Sequence, residues 1–440
     1  MNWEQLLSTK RLGLEHYHKK DKNSRTEFQR DYDRIIFSSS FRRLQNKTQV
    51  FPLPGRIFVH NRLTHSLEVA SVGRSLGNEV ALRLNAKREE AIADITGIIA
   101  AACLVHDLGN PPFGHSGEKV ISAFFSEHQD DEFRQEFTPA QWNDLTNFEG
   151  NANAFRLLTH QFDGKRPGGF VMTYATLAAT VKYPYHSSIA PGKKYGFFQS
   201  EKAIFERVAE ELGLALLDAE KGIYARHPLV YLVEAADDIC YQIMDIEDAH
   251  KLGILSTERT YDLFFAFFDD KGKDHLRQTL KKVGDKNEQV SYLRTSVIGK
   301  LVEACADVFV EHETEILRGT FKGSLIRNLN GRVGEAYRSC SKVAVRQIYS
   351  SPEVVEIEIA GYKVLNTLME VFVNAVRHPE KFYSKQLLSR IPEQYQVKGV
   401  GSYEMMQGVT DFVSGMTDVY ALDLYRKITG ISIPGVDLNN

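Results

Sequence analysis

With 440 residues, 43% of them hydrophobic and 25% charged, the chain has a globular composition and ample apolar material for a core, which excludes a disordered or fibrous class. A formal net charge of −3 advertises no general polyanion-binding role. The four cysteines (Cys103, Cys240, Cys305 and Cys340) form no CxxC pair, so no disulfide framework is indicated and a reducing, cytoplasmic setting is expected.

In chain order, the start MNWEQLLSTKRLG lacks the apolar stretch of a signal peptide, and no apolar run reaches membrane-spanning length; a soluble protein without membrane contact is expected. Residues 1–50 hold eleven Lys/Arg against six Asp/Glu, many between Arg25 and Lys47. Such a cluster suits phosphates, although a solvated helix face accounts for charge runs more often. Residues 64–84 place Leu67, Ala70, Val72, Leu76, Val80 and Leu82 near 3.6-residue spacing, predicting a helix. The run 89–108 is almost wholly apolar in its second half, as in a helix buried on most sides, and Gly109-Asn110-Pro111-Pro112 stops it. Residues 228–251 open on Pro228, which suits a first helical turn. Further helices are predicted at 201–221, 293–319 and 363–377. The best strand candidate is the alternating VVEIEIAGYKV at 354–364. Gly and Pro gather in loops at 50–60, 109–117, 161–170, 183–200 and after Gly430. The reading is all-α: a core over 1–260 and a C-terminal helical region over 261–440, with polar 270–290 as the boundary.

Chemistry concentrates at the end of the buried 89–108 helix. Burying His106-Asp107 there unpaired costs several kcal/mol, roughly, so the pair needs a partner. A divalent cation is one; a helix C-cap in which His106 meets the last carbonyls is the plain alternative. Upstream, His65 starts the 64–84 helix. Downstream, Asp237, Tyr241 and Asp245 stand at i, i+4 and i+8 on one face of the 228–251 helix, while Asp238 points roughly 100° away. Ala235 and Ala236 leave room for a neighbouring helix. Two imidazoles and two carboxylates form a borderline N/O set suited to Mn²⁺, Fe²⁺, Co²⁺, Ni²⁺ or Zn²⁺; Mg²⁺, which prefers all-oxygen shells, fits less well. Past the pair, HDLGNPPFGHSGE adds His115 and Glu118, an acid/base candidate with its carboxylate support, against the alternative that His115 merely packs in its loop.

The segments NRLTHSLEVA, HDLGNPPFGHSGE and EAADDICY together resemble the HD superfamily, with its His, His-Asp and distal Asp. With YDRIIFSSSFRRLQNKTQVF, FEGNAN and SGMTDVYALDLY, the chain is similar, from about residue 25 onward, to the bacterial deoxyguanosine triphosphate triphosphohydrolase family. The resemblance implies a helical oligomer, often a hexamer, that cleaves a dNTP to a deoxynucleoside and inorganic triphosphate. It implies His65, His106, Asp107 and Asp237 as metal ligands, the last favoured also by its helical face, and His115 with Glu118 in catalysis. Gln49 and Asp245 would contact the sugar 3′-hydroxyl, and Val50 would pack where a ribose 2′-hydroxyl clashes. Arg62 would bind the α-phosphate, with Lys182, Tyr183 and a lysine, Lys194 rather than Lys202, on the triphosphate. Tyr241 would line the substrate site, and the C-terminal region would contribute to the nucleotide pocket and oligomer contacts. dGTP is the foremost single substrate. The competing readings are an HD phosphodiesterase or nucleotidase acting on another nucleotide, and a protein that binds dNTP or single-stranded DNA through its basic N-terminal stretch.

Overall fold

Helices form where apolar residues recur every three or four positions, and they stop at caps, glycines and prolines. The computed structural model describes residues 1–16, 25–51, 59–84, 89–127, 131–190, 194–396 and 400–432. Residues 52–58 of the 50–60 loop, 191–193 of the 183–200 loop, Lys19, Lys20 and Lys22 of the basic stretch, and the tail from 433 lie outside them.

The elements that build the site are α1 (Glu27–Ile36), α2 (Ser39–Arg43), α3 (Arg62–Arg83), α4 (Glu89–Val105), α5 (Gly114–Glu127), α6 (Pro139–Thr146) and α7 (Gly150–Thr159). After them come α8 (Lys202–Glu211), α9 (Val230–Lys251), α10 (Lys286–Glu311), α11 (Pro352–Arg377), α12 (Ser402–Ser414) and α13 (Asp418–Ile428). Among the described residues the only sheet is an antiparallel pair, β1 (Leu216–Asp218) and β2 (Ile223–Tyr224). The fold is all-α, as expected.

α3 begins at a capping box: the Asn61 side chain accepts from the Thr64 amide, and the Thr64 hydroxyl accepts from the Asn61 amide. It packs along α4, α9 and α10. Gly73 makes this approach possible, since a Cβ there would lie 2.6 Å from Cys103 Sγ and 3.7 Å from Ala236 Cβ. One apolar cluster runs from Leu6 to Ile348 and takes in α3, α4, α9 and α10. A second joins α5 and α6 to α11, α12 and α13. The seam between the clusters is the site.

Three expected elements are corrected. The 354–364 segment is no strand; it is the first half of α11, which starts with Pro352 in its first turn. The apolar letters alternate locally, but the residues turned inward are Val354, Ile357, Gly361, Val364, Leu365 and Leu368, a helical spacing that the following turns extend, while Val355 and Ile359 face out. The predicted 201–221 helix ends at Glu211, because Gly213 takes a left-handed conformation (φ 61°) and the chain turns back into β1 and β2. The 293–319 prediction is interrupted at His312, between α10 and a short helix at Glu313–Arg318. Among the described residues no helix is long and apolar enough to cross a membrane.

Candidate active site

α4 stops at Val105, and residues 106–109 form a turn that Pro111 and Pro112 keep from resuming a helix. His106 therefore leaves the helix axis with its Nδ1 2.7 Å from the Cys103 carbonyl oxygen. That contact requires the proton on Nδ1 and turns Nε2 toward α3 and α9. His65 comes from the first turn of α3 and Asp237 from the second turn of α9. His65 Nε2 lies 3.2 Å and His106 Nε2 3.5 Å from the same oxygen, Asp237 Oδ1, and one ligand atom from each residue falls within 4.8 Å of the others.

The residues present fit a divalent cation. Among the described residues His106 Nε2 is buried with no partner in good hydrogen-bonding geometry, the nearest being Asp237 Oδ1 at 3.5 Å. Burial on its own would lower the His106 pKa, yet the carboxylates of Asp107 and Asp237 raise it to about 9, so the site calls for positive charge at that nitrogen. The two imidazoles likewise hold the half-buried Asp237 well below the ordinary carboxylate range, against the desolvation that would raise it. Asp107 stands at the edge of this group: its Oδ2 is 3.6 Å from His106 Nε2 but accepts from Arg62 Nη1 at 2.7 Å, and its Oδ1 accepts from Asn110 at 2.5 Å. Asp238 lines a neighbouring chamber together with Arg226, Arg327 and Arg338.

A cavity of about 370 Å³ opens beside these residues. His115 reaches it from the first turn of α5, with Nδ1 2.8 Å from Glu118 Oε2, while Glu118 Oε1 accepts from the Gly150 amide at the start of α7. The Glu118 hydrogen bond raises the His115 pKa; the same bond, the Lys194 charge and the Gly150 amide lower that of Glu118 against its burial. Arg62 lies across the cavity floor and is 4% exposed. Its guanidinium fits only because Gly114 has no side chain, for a Cβ there would meet Arg62 Nη2 at 2.3 Å.

The cavity wall also holds Gln49, Val50, Lys182, Tyr183, Lys194 and Tyr241. Among the described residues Gln49 Oε1 is buried without a hydrogen-bond partner. Lys182 pairs with Glu234 at 3.0 Å, and Glu234 raises its pKa although burial opposes this. Lys194 pairs with Glu149 at 2.8 Å and approaches Glu118 at 3.7 Å, whereas Lys202 pairs with Glu206 outside the cavity. Tyr241 meets His65 edge-on. His65, Glu118 and Asp245 stand behind the wall. Asp245 accepts from the Tyr349 hydroxyl at 2.7 Å, and burial raises its pKa to about 8.

Sequence reasoning passed over several wall residues. Asn110 and Asn151 sat inside quoted segments without a role, and Glu358 lay in the segment read as a strand. Tyr349 follows a π-helical turn at Ala344–Ile348 and carries no local signal. The C-terminal SGMTD segment clamps the whole arrangement. Asp418 accepts from the Thr48 amide and hydroxyl and from the Phe113 amide, and the Ser414 carbonyl accepts from the buried Lys47 ammonium. Phe113 itself has φ 62°, a conformation costly for a non-glycine residue and sustained by these contacts.

Comparison with known proteins agrees with this architecture. The family model described as the HD domain matches residues 62–153, and that of the phosphohydrolase-associated domain matches 329–427. A deoxyguanosinetriphosphate triphosphohydrolase-like protein of Synechocystis is 40% identical, covering 98% of this chain and all of the relative. One of Pseudomonas aeruginosa is 38% identical over 99% of this chain and all of the relative. The deoxyguanosinetriphosphate triphosphohydrolase of Yersinia pestis is 30% identical over 91% of this chain and 93% of its own length. Likeness over nearly the full length, with the HD pattern at the helix ends where the three histidine and aspartate ligand atoms meet, places this chain in the deoxyguanosinetriphosphate triphosphohydrolase-like family of HD-domain hydrolases.

Proposed function

We propose that the protein hydrolyses a dNTP, dGTP foremost, at the α-phosphate, releasing deoxynucleoside and inorganic triphosphate in a metal-dependent reaction. One observation carries the reading: His106 and His115, the latter held from behind by Glu118, face one cavity that also holds Arg62, Lys182 and Lys194. His65, His106, Asp107 and Asp237 would hold a divalent cation, which when bound supplies Lewis-acid polarisation of the α-phosphoryl group and of the attacking water.

The chain's own residues do the rest. Arg62 is planar and fixed by Asp107, and offers its remaining N–H groups to the α-phosphate; Lys182, Tyr183 and Lys194 take the outer phosphates. Water attacks phosphorus, the bond from phosphorus to the 5′-oxygen breaks, and His115 Nε2 gives its proton to that oxygen. Gln49 Oε1 accepts from the sugar 3′-hydroxyl, and Asp245 acts on the sugar by orienting the Tyr349 hydroxyl, which faces it. Val50 closes the space a 2′-hydroxyl would need. Hydrolysis of each dNTP and NTP, alone and in pairs, with triphosphate release measured, tests this. Release of phosphate or pyrophosphate instead would overturn it.

The acid role of His115 has a pH signature. A proton donor works only while protonated, so turnover is present below the His115 pKa and is lost as pH rises through it. Glu118 is the principal cause of the upward shift. In Glu118→Gln, the alkaline limb of kcat therefore moves to lower pH; an unmoved limb would remove His115 from this role.

A further inference from the structure

We propose that Asp144 is a positioning residue for the triphosphate: it fixes both limbs of the 183–200 loop, and through them the Lys194 side chain in the catalytic cavity. The inference rests on the reading in which Lys194 takes an outer phosphate. Asp144 lies on α6, is 2% exposed and lines no part of that cavity. It acts through Lys194 without touching the substrate.

Three neutral donors converge on its carboxylate. The Ser187 hydroxyl donates to Oδ1 at 2.6 Å from the first limb, and the Gln199 amide donates to Oδ2 at 2.8 Å from the second. The Tyr403 hydroxyl of α12 donates to the same Oδ2. The buried Tyr195 hydroxyl, from the residue next to Lys194, donates to the Asp144 carbonyl at 3.3 Å. One residue therefore ties positions on both sides of Lys194 to α6 and α12. Beside these anchors the limbs run together: His186 bridges Phe197, and the Gly196 amide donates to the Tyr185 carbonyl at 3.1 Å. Only glycine allows this approach, since a Cβ at Gly196 would meet the Tyr183 carbonyl oxygen at 2.2 Å.

Lys194 depends on such anchoring. Its side chain is 42% exposed, so packing does not hold its long, rotamer-rich stem. Its ammonium is held by Glu149 at 2.8 Å, the residue that caps α7 just beyond α6. The α6–α7 corner thus holds Lys194 twice, by its backbone through Asp144 and by its ammonium through Glu149. Burial raises the Asp144 pKa to about 7, against the Ser187 and Tyr403 hydroxyls and the Gln199 amide, so a neutral carboxamide is a fair replacement. An asparagine oxygen can accept from Gln199 and Tyr403 while its NH₂ donates to the Ser187 hydroxyl oxygen.

The test is titration calorimetry of the full chain with inorganic triphosphate and, separately, with deoxyguanosine. Asp144→Ala weakens triphosphate binding about tenfold, the effect of one charge-assisted hydrogen bond lost, and leaves deoxyguanosine affinity unchanged. Asp144→Asn restores most of the triphosphate affinity. The double variant Asp144→Ala/Lys194→Ala binds triphosphate no more weakly than Lys194→Ala, because both substitutions remove one contact. Ser187→Ala frees a single limb and leaves Asp144 its other donors; it weakens triphosphate binding in the same direction, and it decides the matter if Asp144→Ala does not fold. Equal loss of both ligands, additive loss in the double variant, or wild-type triphosphate affinity in the Asp144 and Ser187 variants would show a purely structural role and overturn the proposal. Undiminished triphosphate binding by Lys194→Ala would instead overturn the phosphate role of Lys194, and this inference with it.

Discussion

Asp237→Ala loses divalent-metal retention and hydrolysis together while keeping its helical circular dichroism spectrum. Asp237 Oδ1 is the atom that both His65 Nε2 and His106 Nε2 approach, so its removal leaves two imidazoles with no carboxylate between them. Loss of an outer-shell partner costs a metal enzyme about 10–100-fold, and loss of the shared ligand exceeds that. The side chain is 32% exposed, so the fold tolerates the change. Asp107→Ala is a less clean probe, because it also strands the buried Arg62 without its 2.7 Å partner. Metal content after dialysis decides the matter: wild-type stoichiometry in Asp237→Ala would sink the assignment.

The largest expected effect on stability lies away from the chemistry. Arg156 on α7 donates from Nη1 to Glu201 at 2.6 Å and from Nε and Nη2 to Asp411 of α12 at 2.9 and 2.8 Å, and all three residues are buried. Arg156→Ala leaves two carboxylates in the interior without a counter-charge, a loss of about 3–5 kcal/mol measurable by urea unfolding. The sign of its pH dependence follows. Burial already raises the Glu201 pKa in the intact protein, and removing Arg156 raises it further. A carboxyl whose folded pKa exceeds its unfolded value favours the fold below the unfolded pKa and loses that contribution as pH rises through the folded one. The deficit of Arg156→Ala therefore shrinks on acidification toward the ordinary carboxylate range. A deficit constant with pH would show that the cost is packing, not charge.

Much of the site is written in local patterns. A polar His-Asp pair ending an apolar helix before Gly-Asn-Pro-Pro marks itself, because only a helix end lets two adjacent residues turn to one side. The i, i+4, i+8 spacing of Asp237, Tyr241 and Asp245 separates Asp237 from Asp238 by helical geometry alone. His115 and Glu118, three residues apart on α5, are within reach of each other for the same reason. The helices α3 and α9 are legible because each buries a face over about six turns, and α4 because its apolar second half is buried on most sides.

Periodicity tells which face is buried, not what covers it, and there the tertiary structure decided. That Arg62 is held by Asp107, that Tyr349 reaches Asp245 from 104 residues away, and that Asp418 fastens Thr48 from 370 away are contacts between elements with no shared local signal. The VVEIEIA segment shows the limit from the other side. Its alternation is real over seven letters, but the helical repeat that continues to Phe372 buries more apolar surface against α5, so α11 forms. His106 and Asp107 were recognisable from their own neighbours. That His106 meets His65 and Asp237 while Asp107 turns toward Arg62 and Asn110 depended on where α3 and α9 pack, through Gly73 and Ala236, and only the folded chain specifies that.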